Sequence, residues 1–146
     1  MLTAGQILKS KPNQTVHSVA PETSVLEAVQ TMADKRIGAL LVLENGVPAG
    51  IITERDFARK FALMNRLPSQ TQVREIMSSP ITHVGHAESA ETCLALMAER
   101  QFRHLPVIDG NQVVGLISIT DLVREVPAKQ QFVIEQLERY IRGDRG

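Results

Sequence analysis

Two short stretches of this 146-residue chain set a hydroxyl and a carboxylate three residues apart, each behind a glycine. They are Gly50-Ile51-Ile52-Thr53-Glu54-Arg55-Asp56 and Gly115-Leu116-Ile117-Ser118-Ile119-Thr120-Asp121. Ionised, Asp56 and Asp121 only accept hydrogen bonds, and each has acceptor positions for both hydroxyls of a ribose. Thr53 and Ser118 stand where an apolar strand would feed a helix. Free amides and the positive end of the helix dipole there favour a phosphate, to which the hydroxyls add a donor. Gly50 and Gly115 permit a close backbone approach or a sharp turn. The same spacing also works without a ligand, because Thr/Ser-x-x-Asp is a capping-box pattern. The two roles are compatible, since an aspartate that caps its own helix is already oriented for a sugar.

The elements that must position these corners come from a duplication. Residues 16–60 lie over residues 81–125 without a gap, pairing Val19 with Val84, Ser24 with Ser89, Met32-Ala33 with Met97-Ala98, and Gly50 with Gly115. Leu40 and Val42 fall on Leu105 and Val107, Ile52 on Ile117, Asp56 on Asp121, and Arg59 on Arg124. Two units are too few for a solenoid, so they are expected to pack against each other about a pseudo-two-fold axis through their sheets. Each unit reads as strand-helix-strand-strand-helix, an α+β (α/β-like) architecture. Ser24 with Glu27 forms a capping box. Val25, Ala28, Val29, Met32 and Ala33 then hold one helical face, matched by Ala90, Cys93, Leu94, Met97 and Ala98. Asn45-Gly46 and Asp109-Gly110 are the expected hairpin turns.

The expected organisation is a lead-in segment at 1–15, repeat one at 16–64, a linker with a short lead-in helix at 65–79, and repeat two at 80–126. A C-terminal amphipathic helix follows at 127–146, after Pro127 interrupts. In the linker, Val73-Arg74-Glu75-Ile76-Met77 reads as the lead-in to repeat two, and Gln6-Ile7-Leu8 as a weaker counterpart before repeat one. The terminal helix carries Val133, Leu137, Tyr140 and Ile141 on one face, with Gly143 placed as a C′ residue.

Both corners resemble the Gly-hydrophobic-x-Thr/Ser-x-x-Asp signature of cystathionine-β-synthase-type (CBS) domains. Arg103-His104-Leu105-Pro106-Val107 resembles the strand that usually precedes it. The resemblance covers roughly residues 16–125 and implies a tandem pair, or Bateman module, standing alone with no catalytic or transport domain. It implies an adenosine-containing ligand (AMP, ADP, ATP or NAD) in the cleft between the repeats, and homodimerisation, for which the C-terminal helix offers apolar surface if it does not pack on its own chain. Asp56 and Asp121 would bind ribose. Thr53, Arg55, Ser118, Thr120, Arg103 and His104 would contact phosphate. Ala39, Leu40, Leu41, Ile52, Thr82, Val84, Leu105, Pro106 and Ile117 would form the adenine pocket, with Val42 and Val107 as further aliphatic walls. The repeats are not equal. Arg103-His104 replaces Gly38-Ala39, and Arg55 stands opposite Thr120 where many relatives carry Gly, so the two clefts are expected to differ in affinity or ligand.

Composition narrows the remaining classes. Lys and Arg total 16 against 16 Asp and Glu, so no net field draws the chain to nucleic acid or an anionic membrane. Aromatics are 3% with no Trp, leaving few stacking platforms for bases. No apolar run reaches membrane-span length and Met1 does not open a signal peptide, so the expected compartment is the cytoplasm. A single Cys93 rules out an internal disulfide, and on an apolar face it reads as a small core hydrophobe. His83 and His86 lack further ligands at metal-binding spacing, so no metal is expected. No Ser-His-Asp set or Walker loop can be assembled, and no enzymatic activity is expected. The leading expectation is a regulatory module binding an adenine nucleotide and acting on an unidentified effector protein. The alternative is an interaction module that docks on an enzyme or transporter without nucleotide.

Overall fold

The computed structural model describes residues 2–125 and 135–141. In chain order its elements are α1 (Ala4–Ser10), β1 (Ser18–Val19), α2 (Val25–Lys35), β2 (Ala39–Glu44), β3 (Val47–Thr53), α3 (Glu54–Arg59), α4 (Ala90–Arg100), β4 (His104–Asp109), β5 (Gln112–Ser118) and α5 (Ile119–Glu125). The chain divides into two compact units. One is Val16–Ile81, holding repeat one. The other joins Met1–Thr15 to Thr82–Gly146 and holds repeat two. The mixed α+β class read from the sequence is the class observed.

In the first unit β1 runs parallel to β2, with Val19 opposite Val42, and β2 pairs antiparallel with β3 from Ala39↔Thr53 to Glu44↔Val47. The hairpin closes on Asn45-Gly46, both at positive φ (53° and 79°), as a tight primed turn requires. Ser24 Oγ caps α2 through the Glu27 amide, while the Glu27 side chain stays exposed instead of closing the expected box. Val25, Ala28 and Met32 of α2 then pack on Leu40, Val42 and Ile52, the apolar faces that their two periodicities predict.

Repeat two follows the same plan with two departures. Its expected first strand is reduced to one parallel bridge, Val84↔Val107: where the Leu41 amide donates to His17 O in repeat one, repeat two has Pro106, which has no amide to donate. Its hairpin turns on Gly110-Asn111, with Gly110 at φ 61°, rather than on Asp109-Gly110. Asp109 stays on the strand opposite Gln112, where its carboxylate takes the His86 amide (3.2 Å) and ring Nδ1 (2.7 Å).

The two lead-in segments pack on the opposite repeats from those they precede. The Val73–Glu75 turn, a single 3₁₀ turn, hangs on repeat one: the Val73 amide donates to Thr23 O (2.8 Å), Arg74 to Pro21 O (3.0 Å), and Val25 to Thr71 O (2.7 Å). α1 hangs on repeat two in the same way: Ala4 donates to Glu88 O (2.8 Å), Gly5 to His86 O (2.8 Å), and Ala90 to Leu2 O (2.9 Å). Each segment completes a core: Ile7 and Leu8 enter the second unit's, Val73 and Ile76 the first unit's.

The signature glycines accommodate these segments. A Cβ on Gly50 would lie 2.8 Å from the Ser78 carbonyl oxygen, and one on Gly115 would lie 2.6 Å from a Leu8 methyl. At the other end of the chain, residues 135–141 are helical. Ile141 is buried in the second unit's core with Leu137 beside it, so this part of the helix packs on its own unit, and Tyr140 faces outward. The expected Pro127 break, Val133 and the Gly143 cap lie outside the described residues.

Candidate functional site

The strand-to-helix corners build two carboxylate clusters, one per unit. In repeat one, Thr53 is the N-cap of α3. Its hydroxyl accepts from the Asp56 amide (3.1 Å), and Asp56 Oδ2 accepts from the Thr53 amide (3.0 Å) and hydroxyl (3.2 Å). Asp56 Oδ1 takes the Ser78 hydroxyl at 3.0 Å and Lys60 Nζ at 3.1 Å. Lys60 is held in turn by the Ile76 carbonyl (3.1 Å). In repeat two, the Ser118 hydroxyl accepts from the Asp121 amide (3.2 Å) and the Ser118 amide donates to Asp121 Oδ2 (2.8 Å). Lys11 Nζ reaches the same oxygen at 3.0 Å and the Leu116 carbonyl at 2.7 Å, while Arg124 takes Oδ1 at 2.7 Å.

The capping-box reading of both corners is therefore realised in full. Each aspartate is buried, Asp56 at 6% and Asp121 at 4% exposure, and each is neutralised by cations of its own unit. A carboxylate has about four acceptor positions. Among the described residues, four donors meet Asp56 and three meet Asp121, so a diol would have to exchange with donors already in place. Lys60 and Arg124 lie one helical turn from their aspartates, a spacing at which opposite charges pair and a signal readable in the sequence. Ser78 and Lys11 come from the lead-in segments, far away in the chain, and no local pattern announces them.

The remaining expected residues distribute as follows. Leu40 and Ile52 are fully buried in repeat one's core, and Leu105 and Ile117 in repeat two's, with Val42, Val84 and Val107 beside them. Ala39, Leu41 and Pro106 are buried and Thr82 is partly so. Ala39 sits opposite Thr53, and His104 opposite Ser118, so each corner has its strand neighbour in place. Arg55 is partly buried on the first turn of α3, and Thr120 is exposed. Arg103 is paired with Glu138 at 2.7 Å, and its carbonyl accepts from the Ile119 amide. A groove of 410 Å³ in the first unit is lined by Val29, Met32, Ala33, Arg36, Ile37, Glu54 and Phe57, none of them an expected ligand residue. Cys93 is fully buried, and burial pushes its thiol up to about 11, so it stays protonated at neutral pH.

His104, one of the expected phosphate contacts, is perturbed by its surroundings. Burial first, and then the Arg103 charge, lowers its pKa to about 4, with Lys11 acting in the same direction and Asp121 opposing. The ring is neutral at pH 7 and has at most one N–H to offer. Its unfolded value is roughly 6.5, so between pH 6.5 and 4 the unfolded chain takes up a proton that the folded chain refuses. Stability should therefore fall as pH drops through that window, by up to about 3 kcal/mol. Urea midpoints at pH 7 and pH 4.5 check this: His104→Gln should show a shallower loss than wild type, and equal slopes would remove His104 as the cause.

No helix among the described residues is long and apolar enough to cross a membrane. A profile described as "CBS domain" matches residues 4–63 and 73–128. The chain is 35% identical over 115 residues to CBS domain-containing protein YhcV of Bacillus subtilis (strain 168), covering 79% of this chain and 81% of that protein. A CBS-domain protein of Burkholderia ambifaria MC40-6, described as a candidate for signal transduction, superposes with TM-score 0.82 at 48% identity, over 89% of this chain and 97% of that one. A hexameric CBS-CP12 protein from bloom-forming cyanobacteria superposes with TM-score 0.74 at 28% identity, over 97% of this chain and 86% of that one.

Proposed function

The chain belongs to the CBS-domain family, with two such domains in tandem, and from that premise we propose that it is a regulatory module binding an adenosine-containing ligand through Asp56 and Asp121. One observation carries this reading: two register-equivalent corners each bring a hydroxyl, a helix start and a carboxylate to one place. The carboxylates would take the ribose diol, and an anionic ligand such as AMP, ATP or NAD would exchange for contacts that the nearby lysines now make. Regulation then requires the ligand to bind two conformations with different affinity. The module works by binding, not turnover, and self-association is part of the proposal, since the similar CBS-CP12 protein is hexameric.

Thermal unfolding with AMP, ATP and NAD tests the reading. At 100 times its dissociation constant a ligand should add about 2.7 kcal/mol of stability. The Asp56→Asn/Asp121→Asn double variant, which keeps acceptors for both caps, should lose that increment. A second reading has its own support: both aspartates are already satisfied by their own chain, as in a docking module that needs no nucleotide. A wild-type protein that no adenine nucleotide stabilises would overturn the first reading and favour the second.

A further inference from the structure

We propose that Lys11 is the exchangeable counterion of Asp121, and that it makes repeat two select diol ligands carrying an anionic group over uncharged ones. The inference rests on the nucleotide reading above and deepens it. Among the three donors on Asp121, the Ser118 amide is fixed by the helix cap and Arg124 is tied to the same helix. Of the described residues on Asp121, Lys11 alone arrives from a sequence-distant segment, and it has a second acceptor, the Leu116 carbonyl, closer to it than the carboxylate. It can thus leave Asp121 and stay anchored.

Two ribose hydroxyls need two acceptor positions, and Asp121 has about one beyond its present donors, so one cation must withdraw. Lysine is suited to that role, being a compact ammonium on a flexible stem with rotatable donors, whereas the Arg124 guanidinium is a rigid fork. An uncharged nucleoside that displaces Lys11 leaves this side chain, 22% exposed, with a carbonyl for its ammonium but no counter-charge. A ligand with a phosphate supplies the partner it takes away. Repeat one is built differently. Lys60 there is the C-cap of α3, is about half exposed, and shares Asp56 with the neutral Ser78 hydroxyl, so the discrimination belongs to repeat two.

The test is calorimetric titration of the full chain with adenosine and with AMP. The wild type should bind AMP roughly tenfold or more tightly than adenosine, the scale of one charge-assisted hydrogen bond. Lys11→Met should bring the two affinities to within about threefold, since adenosine no longer competes with an ammonium and AMP loses its contact. Lys11→Gln, which keeps a donor for the Leu116 carbonyl, should behave alike and guards against a packing defect. Lys11→Arg should retain the preference, as should Lys9→Met on the same segment. An AMP preference unchanged in both Lys11→Met and Lys11→Gln overturns the role of Lys11 while leaving nucleotide binding intact. A wild type that binds neither ligand overturns the role of Lys11, and one that ATP and NAD also fail to stabilise overturns the nucleotide reading with it.

Discussion

A chain lacking residues 2–11 is expected to lose hydrogen-exchange protection across residues 82–125 while residues 16–81 keep theirs. The deleted segment carries Ala4, Ile7 and Leu8 into the second unit's core, the first two fully buried. Burying one such aliphatic side chain contributes roughly 1.5–3 kcal/mol. The segment also provides the backbone partners of Glu88, His86 and Ala90 and the Lys11 ammonium on Asp121. The summed loss is about 5 kcal/mol or more, comparable with the whole stability of many domains. Exchange read by mass spectrometry on peptides from both units checks it. Protection lost in residues 16–64 instead would mean that the segment serves the repeat it precedes in the chain.

Gly50→Ala should destabilise the first unit by about 3 kcal/mol, near the upper end for overpacking. The added methyl would meet the Ser78 carbonyl oxygen at 2.8 Å. That backbone cannot retreat freely, because Ser78 and Ile51 exchange two hydrogen bonds (2.8 and 3.1 Å) and the Ser78 hydroxyl serves Asp56. Gly115→Ala is the informative contrast. The three atoms nearest its methyl all belong to the Leu8 side chain, so Leu8→Ala should relieve part of the cost, with a coupling of about 1–3 kcal/mol in a double-mutant cycle. Urea unfolding of the four proteins measures it. Strict additivity of Leu8→Ala and Gly115→Ala would show that the two positions do not meet.

Much of this was legible along the chain. The duplication, the apolar faces of α2 and α4, and both caps follow from spacings of three and four residues or from alternation. The local geometry of a helix or strand alone imposes these patterns. The second turn is legible as well: the gapless alignment lays Asn45-Gly46 on Gly110-Asn111, one residue past the Asp109-Gly110 dipeptide. The surroundings of the carboxylates were less legible. Lys60 and Arg124 sit within one turn of their aspartates and carry a local signal. Lys11 stands 105 residues from the Leu116 carbonyl that anchors it, and nothing in a helix or hairpin pattern links the two.

By itself the sequence determined two copies of one α+β unit, each ending in a hydroxyl–carboxylate corner behind a glycine. Those features depend on neighbours a few residues away, and backbone geometry makes such neighbours certain. Only the tertiary structure decided which lead-in segment completes which repeat, and therefore that the Ser78 hydroxyl joins Asp56 and Lys11 joins Asp121. Ile7, Leu8, Val73 and Ile76 are apolar enough for either core. Burial is non-directional and cannot name a partner from composition. The choice is made by packing around two bare glycines, where the approaching segment comes so close that a single methyl group would not fit.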